Sequence, residues 1–310
     1  MNLKLILVVI LISVVQLLDG HNIDDFGTTI NDASYQAAYK NGKAFYNCVI
    51  AANTHPTDRT CQVTQNKNYT FLPYAQIFNI ANLTITIDGI LNAYSEDHSK
   101  WPKDKNNEVL DLIYMQNITD IVMNGKGLIQ GNGYLWWWIV WITGVDNRPN
   151  LLVVETGKNV LLEGITFFNA PQYHISMLDM LNATFQNFNI YVNATDIHGV
   201  NDKLPTFPLN TDGIDISGRD VVFRNLYIEN YDDAIAVKPM HKNRGVYSDC
   251  TANILIEDCV VKYGVGMSIG SVPPNDQLNC IQNVTIRNIN FQTPIKAIYI
   301  KPNPGTHGSG

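Results

Sequence analysis

Phe185-Gln186-Asn187-Phe188-Asn189-Ile190 returns as Phe223-Arg224-Asn225-Leu226-Tyr227-Ile228, and the phrase common to both decides the fold. It reads apolar, any residue, then Asn, Asp or Gly, then apolar, any residue, apolar. Leu162 to Phe167 carries it around Gly164, Ile256 to Val261 around Asp258, and Ile286 to Phe291 around Asn288. Successive centres lie 23, 38, 33 and 30 residues apart, so a unit of a little over 20 residues recurs with insertions of varying length. A fixed phrase with variable spacers is the mark of a solenoid whose loops differ from turn to turn.

The intervening segments alternate with period two. Leu83-Thr84-Ile85-Thr86-Ile87, Val221-Val222-Phe223 and Ile254-Leu255-Ile256 read as short strands bounded by Asn, Asp and Gly. One helical stripe stands out, around Ala33 to Asn53. The fold expected is therefore all-β, a parallel β-helix in which equivalent positions of neighbouring turns stack about 4.8 Å apart. The competing architecture, a sandwich of seven to nine strands, needs hairpin dipeptides between its strands. Only isolated ones occur, such as Asn41-Gly42 and Asn124-Gly125.

Composition agrees with stacked turns. Charged residues make up 16% of the 310, while Asn occurs 36 times. A column of Asn at one corner can bond along the stack through its side-chain amides. The net charge of −7 and the lack of a Lys/Arg-rich run argue against a nucleic-acid partner.

Residues 1–20 open with Lys4 and an apolar stretch from Leu5 to Leu18, the pattern of a secretory signal peptide cut near Gly20. The expected layout is that leader followed by one β-helix domain over 21–310, secreted, monomeric and with no membrane partner. Of five cysteines, Cys48 with Cys61 and one pair among Cys250, Cys259 and Cys280 are expected to form disulfides, leaving one thiol. Six Asn-x-Ser/Thr sequons, at Asn68, Asn82, Asn117, Asn182, Asn193 and Asn283, fit a glycoprotein.

A second phrase accompanies the later turns: one residue, a small residue, apolar, any residue, apolar. Its copies begin at Asp212, Asp233, Val265 and Lys296 and place these four in one column. Asp232 shares the turn of Asp233. Three carboxylates on two adjacent rungs, roughly 5 to 10 Å apart, span the separations used by glycosidases. Like charges crowded together raise the pKa of one acid while the others stay ionised, the division of labour that acid/base hydrolysis needs.

These residues resemble the polygalacturonases, the family 28 glycoside hydrolases, over essentially the whole chain after residue 20. Asp25-Phe26-Gly27 resembles the family's opening strand. Gly131-Asn132-Gly133, Trp136 to Trp138, Arg148-Pro149 and Asn169-Ala170-Pro171-Gln172-Tyr173-His174-Ile175 follow in the family's order. Asn210-Thr211-Asp212-Gly213 matches the NTD motif and Asp232-Asp233 the DD motif. Gly264 to Ser271 falls where GHG belongs, and Tyr299-Ile300-Lys301 where RIK belongs.

The resemblance implies a right-handed parallel β-helix that hydrolyses α-1,4-linked galacturonan, a pectic polysaccharide, with inversion and without a metal or other cofactor. It makes Asp232 the general acid and gives Asp212 and Asp233 the attacking water. Asn210 would orient the group, and Lys301 would bind a substrate carboxylate.

Two departures bear on activity. Val265 stands where the family has histidine, and Tyr299 where it has an arginine that binds substrate. Valine can neither carry charge nor donate a hydrogen bond from its side chain, whereas tyrosine can still stack on a sugar face. The alternative expectation is thus a weakened or inactive carbohydrate-binding β-helix. His174 and His241 are candidates to replace the histidine, but each reads as a structural residue. The Trp136 to Trp138 run reads as packing rather than as a sugar platform. A calcium-dependent pectate lyase would need an arginine base beside the acids, and the acidic column holds none. The chain stops nine residues after Lys301, so C-terminal coils are expected to be missing and the solenoid to end on an open edge.

Overall fold

The computed structural model describes residues 21–193, 204, 207–273 and 278–302. The leader expected over residues 1–20 lies outside them. The described strands form one sheet of fourteen and one of eight, each running in sequence order, so the chain winds as a parallel β-helix. Every pairing in the eight-stranded sheet is parallel, for example Thr166–Phe168 against Asn189–Tyr191. The coils are right-handed, the hand that parallel crossovers almost always take.

The recurring phrase is the corner between the two sheets. Strand Ile175–Gln186 of the large sheet ends one residue before Asn187, and strand Asn189–Tyr191 of the small sheet begins two residues after it. Asn187, Asn225, Asp258 and Asn288 all hold φ between 51° and 58°. Asn and Asp adopt this left-handed conformation at little cost and Gly, here Gly164, at none, which is why only these three types occupy the centre. The apolar positions of the phrase point inward. Leu162, Phe185, Phe223, Ile256 and Ile286 stand in register. Phe185 and Phe223 stack with ring centroids 4.8 Å apart.

A second corner makes a longer ladder. Asn82, Asp120, Asn159, Asn182, Asp220, Asn253 and Asn283 all have φ between 50° and 58°. Their side chains bond along the axis, as in Asn159 Nδ2 to Asp120 Oδ1 at 2.7 Å and Asn182 Nδ2 to Asn159 Oδ1 at 2.8 Å. The Asn surplus is turn chemistry, as expected.

Helix Tyr35–Thr54 starts at Ser34, whose side chain accepts from Ala37 N–H, and buries Phe45, Cys48 and Val49. The Cys48–Cys61 disulfide ties it to the first coils, and Cys250–Cys280 is the second bridge, leaving Cys259 buried and free. Two expectations are corrected. Ile23–Phe26 is a 3₁₀ turn capped by Asn22, not a strand, because the Asn22 and Asp25 side chains each bond the other's end of the turn. Tyr134–Thr143 is a second helix. Its run Leu135-Trp-Trp-Trp-Ile-Val-Trp-Ile142 is apolar on every side, so it shows no 3.6-residue stripe. Trp136 and Trp137 are buried, Trp136 edge-on to Trp101 at 5.6 Å, in keeping with packing. At the other end, Ile298 and Ile300 of the last described strand are 56% and 69% exposed.

Candidate active site

The acids collect where strands of the large sheet begin. Ile214 pairs with Ile235, Ile235 with Met267, and Met267 with Ile298, so the four copies of the second phrase are in register. One position departs from the expected column: Asp233 pairs with Gly266, not Val265, across a one-residue irregularity before Ile235. Gly264 and Gly266 have φ of +66° and +79°, a backbone that accommodates the extra residue. Rungs can close this tightly because Gly213 lacks a side chain. A Cβ there would lie 2.3 Å from the carbonyl oxygen of Ala234.

Asp212, Asp232 and Asp233 each offer an oxygen within 4.8 Å of the other two. Asp233 is fully buried. Its Oδ1 accepts from Ser268 Oγ at 2.5 Å, and its Oδ2 pairs with Lys301 Nζ. Asp232 is only partly buried. Its two oxygens accept from Asn210 N–H at 3.1 Å and Asp233 N–H at 2.9 Å. Burial, then the charge of Asp233, pushes its pKa up. Asp212 is 4% exposed and its pKa is raised further, first by burial and then by Asp215, Asp232 and Asp233. Such a triad can hold a water or a cation, but the ammonium of Lys301 already occupies one side of it.

The supporting residues explain the order. Asn230 is buried, and its Nδ2 bridges the carbonyls of Thr211 at 3.0 Å and Asp233 at 2.7 Å, clamping both acidic turns. Arg148 grips Asp146 at 2.7 and 2.9 Å and donates to the carbonyls of Pro171 and Leu209, fixing the turn before Asn210. Asn210 contacts the group through its backbone, since its side chain bonds Asp146 at 3.3 Å.

His174 does not stand in for the absent histidine. It is fully buried, with Nδ1 2.9 Å from the Asp212 carbonyl oxygen and Nε2 accepting from Ala170 N–H at 3.3 Å. That pattern fixes the neutral Nδ1–H tautomer, and burial holds the pKa down at about 4. Val265 donates its backbone N–H to the Asp232 carbonyl at 2.7 Å, a bond that survives the loss of an imidazole. Lys296 Nζ lies 3.4 Å from the Tyr299 ring centroid and Lys301 Nζ 5.7 Å, so two ammonium groups flank this ring.

Sequence reasoning passed over three members of the site. Asp215 is 6% exposed and paired with Lys238 at 3.1 Å. Burial raises its pKa to about 6, with Lys238 offsetting part of the effect. Among the described residues its Oδ1 has no hydrogen-bond partner. Tyr173 faces the same charges, its pKa raised by burial and then by Asp212 and Asp215. The alternation that puts Asp215 and Lys238 on the outer face was available as a signal, whereas Tyr173 stood only within the family-like stretch Asn169 to Ile175, with no role attached.

Comparison with known proteins comes to the same place. The sequence model described as glycosyl hydrolases family 28 matches residues 56–309. A probable polygalacturonase of Arabidopsis thaliana is 30% identical over 68% of this chain and 39% of that protein. A putative galacturan 1,4-alpha-galacturonidase A of Aspergillus flavus is 31% identical over 62% of this chain and 46% of that one. The chain thus spans less than half the length of these curated relatives. The solved polygalacturonase of Erwinia carotovora shares the fold with a TM-score of 0.67 at 22% identity, over 92% of this chain and 72% of that one.

Proposed function

The chain belongs to glycosyl hydrolase family 28, and from that premise we propose that it is a secreted hydrolase of α-1,4-linked galacturonan, working by direct displacement with inversion. One observation carries the assignment of roles. Of three acids whose oxygens lie within 4.8 Å of one another, only Asp232 is partly exposed, and its pKa is raised. A reachable carboxyl that keeps its proton is what a leaving glycosidic oxygen requires. Asp233, paired with Lys301, then deprotonates the attacking water, which Asp212 helps to hold. Lys301 has three donors, and those not used on Asp233 face a substrate carboxylate, while Tyr299 offers its ring to the sugar.

Inverting enzymes commonly separate their carboxyl groups by about 6.5 to 9.5 Å to admit the water, wider than this cluster. Direct displacement is nonetheless proposed here, because it is the course that the resemblance to family 28 implies.

Secretion is supported by the apolar run ahead of Asp19-Gly20 and by the two disulfides. Among the described residues no helix is long and apolar enough to cross a membrane. A single domain after the leader, a monomeric state and sugar on some sequons belong to the same proposal.

The test is incubation of the full-length protein with polygalacturonate, following reducing ends and the first-formed anomer by NMR. A β-anomer product that disappears in Asp232→Asn is expected. A folded protein that yields no product from any pectic substrate sinks the proposal. Val265 and Tyr299 favour a second reading, a β-helix that binds glycan without cutting it. Asp232→Asn would then leave glycan affinity and every other readout unchanged.

A further inference from the structure

Next to the acids, on the outer face of the large sheet, lies a cavity of about 470 Å³ lined by Ser176, Asp215, Ser217, Lys238, Arg244 and Glu155 among others. Its volume is in the range of small-molecule sites, enough for a pyranose ring. The charges around it are unevenly spent. Lys238 is paired with Asp215 at 3.1 Å, and Glu155 accepts from the Tyr114 hydroxyl at 2.9 Å. The Arg244 guanidinium has no hydrogen-bond or ion-pair partner among the described residues, although an arginine fork is built to take a carboxylate in two parallel bonds.

The loop that carries Arg244 is held at three places. Met240–His241 pairs antiparallel with Asn279 and Cys280. Cys250 is bridged to Cys280. Asp179 accepts from Val246 N–H at 2.6 Å and Tyr247 N–H at 3.1 Å. Gly245 admits this approach, since a Cβ there would meet Asp179 Oδ1 at 2.3 Å. The loop is anchored from both sides, so the ordering cost left for a ligand to meet is that of the arginine side chain alone.

We propose that this cavity is a uronate subsite beside the acids, in which Arg244 reads the free carboxylate of a sugar unit neighbouring the bond to be cut. The proposal rests on the galacturonan reading and adds to it a position at which the substrate must be unesterified. The Ser176 hydroxyl of the lining meets a ring hydroxyl, and a methyl ester at this unit loses the charge that Arg244 recognises.

The experiment uses the full chain carrying Asp232→Asn, so that ligand persists, and titrates it calorimetrically with trigalacturonate and with its fully methyl-esterified form. Adding Arg244→Met is expected to weaken the free acid by roughly tenfold or more and to leave the ester unchanged, with Arg244→Lys recovering part of the loss. The Arg244 side chain is exposed and unbonded, so an unaltered melting temperature is expected in each variant. Equal affinity of parent and Arg244→Met for the free acid overturns the proposal, as does an equal loss for acid and ester. So does a parent that binds neither. Hydrolysis by the chain with Asp232 intact is scored separately. An Arg244-dependent uronate preference without turnover leaves the subsite standing and removes the hydrolase reading, and turnover indifferent to Arg244 does the reverse.

Discussion

Replacing Asn159 isolates what the corner ladder contributes. Its φ is +54°, its Nδ2 donates to Asp120 Oδ1 at 2.7 Å, and its Oδ1 accepts from Asn182 Nδ2 at 2.8 Å. Asn159→Ala loses two exposed hydrogen bonds, about 0.5 kcal/mol each at the low end of the usual range. It also forces a Cβ without local hydrogen bonding into the left-handed region, at roughly 1 to 2 kcal/mol. The sum is about 2 to 3 kcal/mol. Asn159→Gly loses the same bonds but suffers no left-handed strain, so it should cost about 1.5 to 2 kcal/mol, including the backbone freedom glycine gives up on folding. Equilibrium unfolding in urea, followed by tryptophan fluorescence, reads both as shifts in midpoint at constant slope. The decisive quantity is the gap of about 0.5 to 1 kcal/mol between the two variants. If glycine costs as much as alanine, the backbone conformation is not what selects Asn at this corner; if neither costs anything, the ladder does not hold the coils in register.

Three further outcomes are expected. Asp111 accepts from the Asn150 backbone and side chain, both at 2.9 Å, and burial raises its pKa to about 6, with those bonds offsetting part of the shift. A folded pKa above the unfolded 3.8 means the contribution is full below about pH 4 and is lost as pH rises through 6. Asp111→Asn should therefore gain about 2 kcal/mol relative to the parent between pH 4 and 7, and a difference that stays flat with pH in urea unfolding refutes it. Val265→His combined with Tyr299→Arg should raise the rate of reducing-end release from polygalacturonate at least tenfold, and an unchanged rate would show that these departures do not limit the chemistry. Glycopeptide mapping of secreted protein should find Asn182 bare, because its Nδ2 is engaged in the ladder between Asn159 and Asp220; a fully occupied Asn182 in folded protein contradicts that stacking.

The parts of this molecule that could be read from sequence are those where one steric demand repeats. Each corner needs a left-handed residue, so Asn187, Asn225, Asp258 and Asn288 mark the coils whatever the loops between them do. The same register carries chemistry for free: once Ile214, Ile235, Met267 and Ile298 are aligned, Asp212 and Asp233 must face each other across one strand spacing, and Lys301 must approach them. The repeat fails as a guide where a single coil departs from it. The pattern shows two glycines at 264 and 266 but cannot tell which residue the bulge absorbs, so Val265 was placed one step off. A helix apolar on all sides leaves no stripe, which hid Tyr134–Thr143. Tyr173, Asp146 and Arg244 sit in turns and loops inserted between repeats, where contacts are made across distances that no periodicity encodes. In a solenoid the reacting acids belong to the repeat, because they must be held at strand spacing. The groups that choose a substrate belong to the insertions, because these can change without disturbing the stack. Arg244 on its anchored loop is the residue on which that division can be put to the test.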